Sequence, residues 1–154
     1  MDTAQPAPPA AGRGLPRLAG RARALAATPL GPLAVAAAAA GALTVLQVLD
    51  PNEPGHYPTC PFLAVTGLWC PGCGSLRMLH ALGGGDLRTA LDLNALALLL
   101  LPVLVGYWVA WAVRTVTGRP RGRPLHAAWV WAFLAVVTVW SVLRNLPGLE
   151  LLAP

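Results

Sequence analysis

The chain has 154 residues, of which 56% are hydrophobic and only 11% are charged, and its formal net charge is +5. Soluble domains average about 25% charged residues, so this composition indicates an integral membrane protein. All of the positive charge is arginine, and the arginines flank apolar stretches without an aromatic-rich polar surface. This pattern argues against nucleic acid as a partner and predicts contact with the lipid bilayer.

The N-terminal residues 1–28 combine Ala, Pro, Gly and Arg and contain little that a fold could bury. They are predicted to form a disordered basic cytoplasmic arm, followed by a single membrane domain over residues 29–154. A cleaved signal peptide over about residues 1–42 is the alternative, although its apolar run exceeds the usual length of about 7 to 15 residues. With either interpretation, the loop that follows the first apolar stretch is predicted to lie outside the cytoplasm.

Three uncharged apolar stretches are each close to the roughly 20 residues that cross a bilayer, at about residues 30–49, 93–113 and 125–143. Arginines cluster before the first stretch and between the second and third, so the positive-inside rule makes those regions cytoplasmic. The predicted fold is therefore all-α with three transmembrane helices, an inner N-terminus and an outer C-terminus. Residues 50–92 form an extracytoplasmic loop. The absence of lysine beside abundant Ala, Gly, Pro and Arg suggests a bacterial protein of the cytoplasmic membrane.

All three cysteines lie within this loop, in the segment Cys60-Pro61-x8-Cys70-Pro71-Gly72-Cys73. The Cys-Pro-Gly-Cys step predicts a tight turn, because Pro71 presets its φ angle and Gly72 accepts a positive one. Such a turn brings Cys70 and Cys73 close enough for a disulfide, and it also suits two thiolates that converge on one metal ion.

Three interpretations of the cysteines remain open. The first is a structural metal site with Zn²⁺ as the default ion, in which His80, or less favourably His56, completes a tetrahedral set with Cys60, Cys70 and Cys73. The second is a disulfide from Cys60 to Cys70 or Cys73, which leaves one thiol over. The third is a redox-active pair of Cys70 and Cys73, with Cys60 as a resolving thiol.

A short amphipathic helix is predicted directly after the cysteines, because Leu76, Leu79 and Leu82 recur at a spacing of three. Gly74-Ser75 can cap its start, and the run Gly83-Gly84-Gly85 ends it. This arrangement places Cys73 at or just before a helix N-terminus, where the helix dipole lowers the pKa of a thiol.

Four polar residues of the loop are further candidate site residues: Arg77, Asp86, Asp92 and Asn94. Asp86 is predicted to cap a second helix that runs through Asp92 and Asn94 into the second span. Arg77 is predicted to pair with Asp86 or Asp92, and the alternatives are an anionic ligand or a position that faces the lipid headgroups. No Ser-His-Asp order, paired carboxylates or His-Glu-x-x-His helix is present, which argues against a hydrolase.

An ordered series of short motifs covers about residues 58–105, namely Cys60-Pro61-Phe62, Thr66-Gly67, Cys70 to Arg77, Gly85-Asp86 and Asn94. This series resembles a widespread bacterial family of small membrane proteins that is catalogued as a domain of unknown function. The resemblance implies a membrane protein with this cysteine loop, and it carries no established activity.

Two departures from the family pattern have structural consequences. Ser75-Leu76 stands where the family usually has a hydrophobic residue or serine followed by threonine, and Ala95 replaces the proline after Asn94. Without that proline, the entry into the second span is predicted to be more continuously helical.

The function predicted from these patterns is a non-enzymatic membrane scaffold or partner subunit, whose outward Cys loop is locked by metal or by a disulfide. Its expected partner is another membrane protein or a second copy of the chain. The alternative is a membrane-bound thiol-disulfide redox protein that uses Cys70 and Cys73.

Overall fold

The computed structural model describes residues 27–119, 126–149 and 152–153. These residues form five α-helices, and none of them lies in a strand, which confirms the all-α class. The helices are α1 (Leu30–Val48), α2 (Pro61–Thr66), α3 (Ser75–Gly83), α4 (Leu87–Thr117) and α5 (Ala127–Leu143). Residues 1–26 lie outside the described residues, and with them nearly all of the predicted N-terminal arm.

Two of these helices, α1 and α4, are long and apolar enough to cross a membrane, and α5 is a shorter apolar helix of 17 residues. The helices include most of the three apolar stretches predicted from the sequence. No residue in the most apolar part of α4 is buried inside the protein. Because a core helix of a soluble protein buries such residues, this exposed apolar surface indicates association with a membrane.

The short helix α3 packs against both α4 and the end of α1. The Gln47 side chain donates hydrogen bonds from α1 to the carbonyl oxygens of Leu79 (3.4 Å) and His80 (3.3 Å). A Cβ atom at Gly83 would meet the end of the Gln47 side chain, so a larger residue there would displace the Gln47 amide. Loop residues are thus held against the ends of the two longest helices.

The long helix α4 is interrupted at Asn94, where φ is −161° and ψ is 85°. The prediction of a continuous entry into the second span is therefore wrong, even though the chain has no proline after Asn94. Asn94 Oδ1 accepts a hydrogen bond from the backbone N–H of Ala97 at 3.1 Å, as an N-cap does. Asn94 thus ends a first helical segment and starts the apolar one.

Candidate metal centre

The three cysteines are brought together by two local structures. Cys60 is the N-cap residue of α2, with Pro61 in the first turn. Cys70 and Cys73 flank the predicted tight turn, which is closed by a hydrogen bond from the Cys73 N–H to the Cys70 carbonyl at 3.1 Å. The positive φ angle of this region falls at Gly74 (83°) and not at the predicted Gly72.

The three sulfur atoms form one compact group. Cys70 Sγ lies 3.0 Å from Cys73 Sγ and 3.5 Å from Cys60 Sγ, and all three sulfurs lie within 4.8 Å of one another. All three cysteines are free thiols. In a tetrahedral site with Zn–S bonds of about 2.3 Å, the sulfurs are about 3.8 Å apart. The observed separations lie around this value, so the group is compatible with a bound metal ion.

The structure does not bring either histidine candidate to the sulfur group. His80 Nδ1 lies 2.9 Å from the carbonyl oxygen of Leu46, and its Nε2 lies 3.7 Å from an oxygen of Asp50. His56 Nδ1 lies 3.0 Å from the Asp50 carbonyl, and its Nε2 lies 3.3 Å from Glu53. The His80 ring thus contacts the end of α1 and the connector that follows it, and the His56 ring contacts that connector. The ligand group found among the described residues consists of cysteines only.

The side chain of Asn94 is hydrogen-bonded to the turn between Cys70 and Cys73. Its side chain is only 1% exposed, and its amide NH₂ donates to the carbonyls of Pro71 (3.0 Å) and Cys73 (3.2 Å) and to the Ser75 hydroxyl (3.1 Å). These contacts require the side chain to point into the loop. They explain why the backbone of α4 leaves the helical conformation at this residue.

Arg144 is the most buried charged residue among those that the structure describes, and the sequence patterns did not single it out as a site residue. Its side chain is 2% exposed and lies over the Trp140 ring, 5.6 Å from the ring centroid. The guanidinium donates to the carbonyls of Cys70 (3.2 Å), Cys73 (2.9 Å), Leu93 (3.1 Å) and Leu152 (2.7 Å). Arg144 therefore joins the cysteine turn, α4 and the C-terminal segment.

Asn145, the next residue, completes this connection. Its amide oxygen accepts from the Trp69 N–H at 2.8 Å, and its NH₂ donates to the Trp69 carbonyl at 2.9 Å. A sequence signal for the pair did exist, because Arg144-Asn145 is a strongly polar step directly after an apolar stretch on the side where the positive-inside rule disfavours arginine.

The pKa of the Cys73 thiol differs in direction from the prediction. Burial, with the hydrogen bond to Cys70 as the second cause, raises the pKa of the Cys73 thiol to about 12. The predicted lowering is wrong because Cys73 is 7% exposed and α3 begins only at Ser75. The pKa of Cys60 is lowered instead, first by the backbone N–H of Leu63 and then by hydrogen bonding with Cys70.

This difference predicts an order of alkylation in metal-free, reduced protein. Because the thiolate is the nucleophile, iodoacetamide near pH 7.5 is expected to modify Cys60 first and Cys73 last, with Cys73 reacting at an appreciable rate only at strongly alkaline pH. Peptide mass spectrometry over a time course measures the order. Modification of Cys73 before Cys60 in the folded protein would contradict the raised pKa of Cys73 and the lowered pKa of Cys60.

Arg144 carries its charge without a nearby carboxylate. Burial lowers the pKa of its guanidinium, whereas the neighbouring Cys73 and Cys70 sulfurs act in the opposite direction. Within the described residues, no Asp or Glu oxygen lies within 4 Å of it. A guanidinium stays protonated in proteins, so among the described residues the sulfur group is the site where negative charge would compensate Arg144.

The predicted pairing of Arg77 with an acid is not found. Asp86 caps α4, as predicted, and accepts from the Thr89 N–H (3.0 Å) and the Thr89 hydroxyl (2.6 Å), contacts that lower the pKa of Asp86. Among the described residues, neither Asp86 nor the exposed Asp92 has an oxygen within 4 Å of Arg77. Asp92 also lies outside the sulfur group.

Arg77 instead lines a cavity of about 380 Å³ that opens over the sulfur group. Cys60, Cys70 and Cys73 all contribute to the lining, and none of the described residues that line the cavity is acidic. Much of the remaining wall is apolar, and includes Leu63, Trp69 and Leu76. The sulfur group is thus reachable from outside on the side where Arg77 lies.

Fold and site together describe an all-helical chain with two candidate membrane spans, a shorter apolar helix and a group of three cysteines that is compatible with a metal ion. Residues 60–108 match the model of a family described as "Protein of unknown function (DUF2752)". This match agrees with the expected resemblance to a family of unknown function, and it includes all three cysteines. No curated protein and no solved structure matches the chain.

Proposed function

We propose that this protein is a small component of a bacterial cytoplasmic membrane whose extracytoplasmic loop is locked by a metal ion bound to Cys60, Cys70 and Cys73. It acts without catalysis of its own, as a scaffold or partner subunit for another membrane protein or a second copy of the chain. The observation that carries the proposal is the convergence of three sulfur atoms from two separate segments within 4.8 Å.

Three features support a topology of three spans within one domain, residues 29–154. The 17 residues of α5 are about 26 Å long, and local thinning of the bilayer accommodates so short a span at modest cost. Trp129 and Trp131, near the start of α5, are 69% and 70% exposed, as expected for side chains at the membrane interface. Arginines precede α1 and follow α4, which makes those sides cytoplasmic.

This topology predicts the side on which a C-terminal reporter works. A phosphatase that is active only outside the cytoplasm is expected to be active when it is fused after residue 154 and inactive when it is fused within residues 118–124. An inactive C-terminal fusion that is expressed at the same level would contradict the three-span topology.

Charge balance supports a metal at the sulfur group. A divalent ion and three thiolates together carry one net negative charge, which matches the buried positive charge of Arg144. Three protonated thiols would leave this guanidinium without a compensating negative charge from any described residue. Zn²⁺ is the default ion for a cysteine-rich extracytoplasmic site of this kind, because thiolates are its preferred ligands.

Metal analysis of the purified full-length protein tests the proposal. Mass spectrometry under native conditions is expected to find one zinc ion per chain, and under denaturing conditions three free thiols. Each of Cys60→Ser, Cys70→Ser and Cys73→Ser is expected to lower zinc occupancy at least about tenfold. The control His80→Gln is expected to retain zinc, since His80 lies outside the group. Wild-type protein that binds no metal and has three free thiols would overturn the proposal.

A second candidate function, thiol-disulfide exchange, is favoured by the 3.0 Å separation between the Cys70 and Cys73 sulfurs. In that case Cys70 and Cys73 form a reversible disulfide, with oxidation of both thiols by a disulfide that is itself reduced to two thiols. The same mass measurement separates the two functions. A loss of two mass units with one remaining thiol, reversed by dithiothreitol and without zinc, would favour redox chemistry.

A further inference from the structure

The cavity over the sulfur group has the composition of a ligand site, in addition to a structural metal site. Its volume of about 380 Å³ falls in the range of about 300 to 1,000 Å³ that is usual for small-molecule pockets. We propose that this cavity binds a small organic carboxylate, whose oxygen occupies the fourth position of the metal and whose charge is matched by Arg77. The inference rests on the proposed metal site and names the ligand class of that site.

The ligand count leaves a position for this oxygen. Three cysteines supply three ligands, and both histidine candidates are held elsewhere. No acidic residue in the described part of the chain lines the cavity. A four-coordinate zinc ion with three protein ligands keeps its last position for water or another small ligand. Because all three cysteines line the cavity, that position is accessible from it.

The charges around the cavity favour an anion at the fourth position of the metal. Arg144 already balances the single negative charge of a metal ion with three thiolates, so the metal group and Arg144 are neutral together. Arg77 adds a positive charge at the cavity wall, and within the described residues it has no carboxylate within 4 Å. One monoanion in the cavity restores neutrality.

The wall and the donors favour a carboxylate over phosphate. The guanidinium of Arg77 presents a planar fork that matches the two oxygens of a carboxylate. Leu63, Trp69 and Leu76 supply apolar surface for a compact hydrophobic body, and Arg77 is the only charged residue among the described residues that line the cavity. A phosphate ion would need more donors to replace its hydration than this wall offers.

Cobalt-substituted full-length protein in detergent provides the test, with benzoate as the probe. Co²⁺ reports thiolate coordination and changes of its fourth ligand in its visible spectrum, so benzoate is expected to shift that spectrum in a saturable way. Benzamide, which has the same shape without the charge, and inorganic phosphate are expected to leave the spectrum unchanged. Arg77→Gln is expected to weaken benzoate binding by about 10- to 100-fold with cobalt binding retained.

The control variant is Arg88→Gln, which removes an exposed arginine of the same loop that does not line the cavity. It is expected to bind benzoate as the wild type does. If cobalt binds to the cysteines but benzoate causes no shift, the carboxylate site is overturned while the metal site stands. Equal shifts with benzamide or phosphate, or wild-type benzoate affinity in Arg77→Gln, also overturn it. If cobalt does not bind to the cysteines at all, both the metal site and the carboxylate site are overturned.

Discussion

Replacement of Arg144 by methionine is expected to destabilise the folded protein by about 3 to 5 kcal/mol and to remove most of its metal affinity. The guanidinium bonds four carbonyl groups, including those of Cys70 and Cys73, and methionine leaves them without these donors. The substitution also removes a buried positive charge beside the sulfur group. Thermal unfolding in detergent measures the first effect, and competition for zinc with a chelator measures the second.

Arg144→Lys separates the two roles of this side chain. Lysine keeps the charge but cannot span four carbonyls with one ammonium group, so we expect a large loss of stability with a smaller loss of zinc affinity. Arg88→Met, at an exposed position, serves as the control and is expected to change stability by no more than about 0.5 kcal/mol. Unfolding of Arg144→Met at the wild-type temperature would show that the guanidinium does not hold the loop.

Replacement of Asn94 by alanine is expected to cost about 2 to 4 kcal/mol, because one buried side chain makes four hydrogen bonds. Its NH₂ group donates to the carbonyls of Pro71 and Cys73 and to the Ser75 hydroxyl, and its oxygen caps the apolar segment of α4 through Ala97. Without these contacts, the turn between the cysteines loses its support. Thermal unfolding and limited proteolysis of the loop are the measurements.

Asn94→Asp tests whether the hydrogen bonds that the amide donates or the one that it accepts contributes more to stability. The carboxylate keeps the capping oxygen for Ala97 but turns its second oxygen towards the carbonyl oxygens of Pro71 and Cys73, and only the Ser75 hydroxyl can donate to it. This nearly isosteric change is therefore expected to cost at least as much as alanine. Asn52→Ala, in the exposed connector after α1, is the control and is expected to have a small effect. If Asn94→Asp is as stable as the wild type, the three donated hydrogen bonds are not what fixes the loop.

Much of the helical architecture was predictable because apolar length and local capping act within one segment. The run from Leu30 to Val48 is apolar and ends at a polar connector, and Asp86 caps α4 through a residue only three positions away. The end of α3 at Gly83 was predictable for the same reason, since a run of glycines disfavours helix continuation. The break in α4 at Asn94 was not predictable from the sequence. Its cause is a set of hydrogen-bond acceptors in the cysteine turn, about 20 residues earlier in the chain.

The candidate site was predictable only in part. The spacing of Cys70 and Cys73 indicates a shared turn, and the tight turn is present. The fourth-ligand role of His80 and the pairing of Arg77 with an acid rested on closeness in the sequence, whereas the structure directs His80 to α1 and Arg77 to the cavity. Cys73 has a raised rather than a lowered pKa because its burial outweighs its position near a helix N-terminus.

The amino-acid sequence by itself determined the helical class, the apolar stretches, the turn between the cysteines and the cap at Asp86, since each depends on neighbours along the chain. Only the tertiary structure decided that Cys60 joins the other two sulfurs, that α4 breaks at Asn94, and that Arg144 lies buried beneath the cysteine turn. These features depend on hydrogen bonds and burial between residues up to 74 positions apart, which no local pattern encodes.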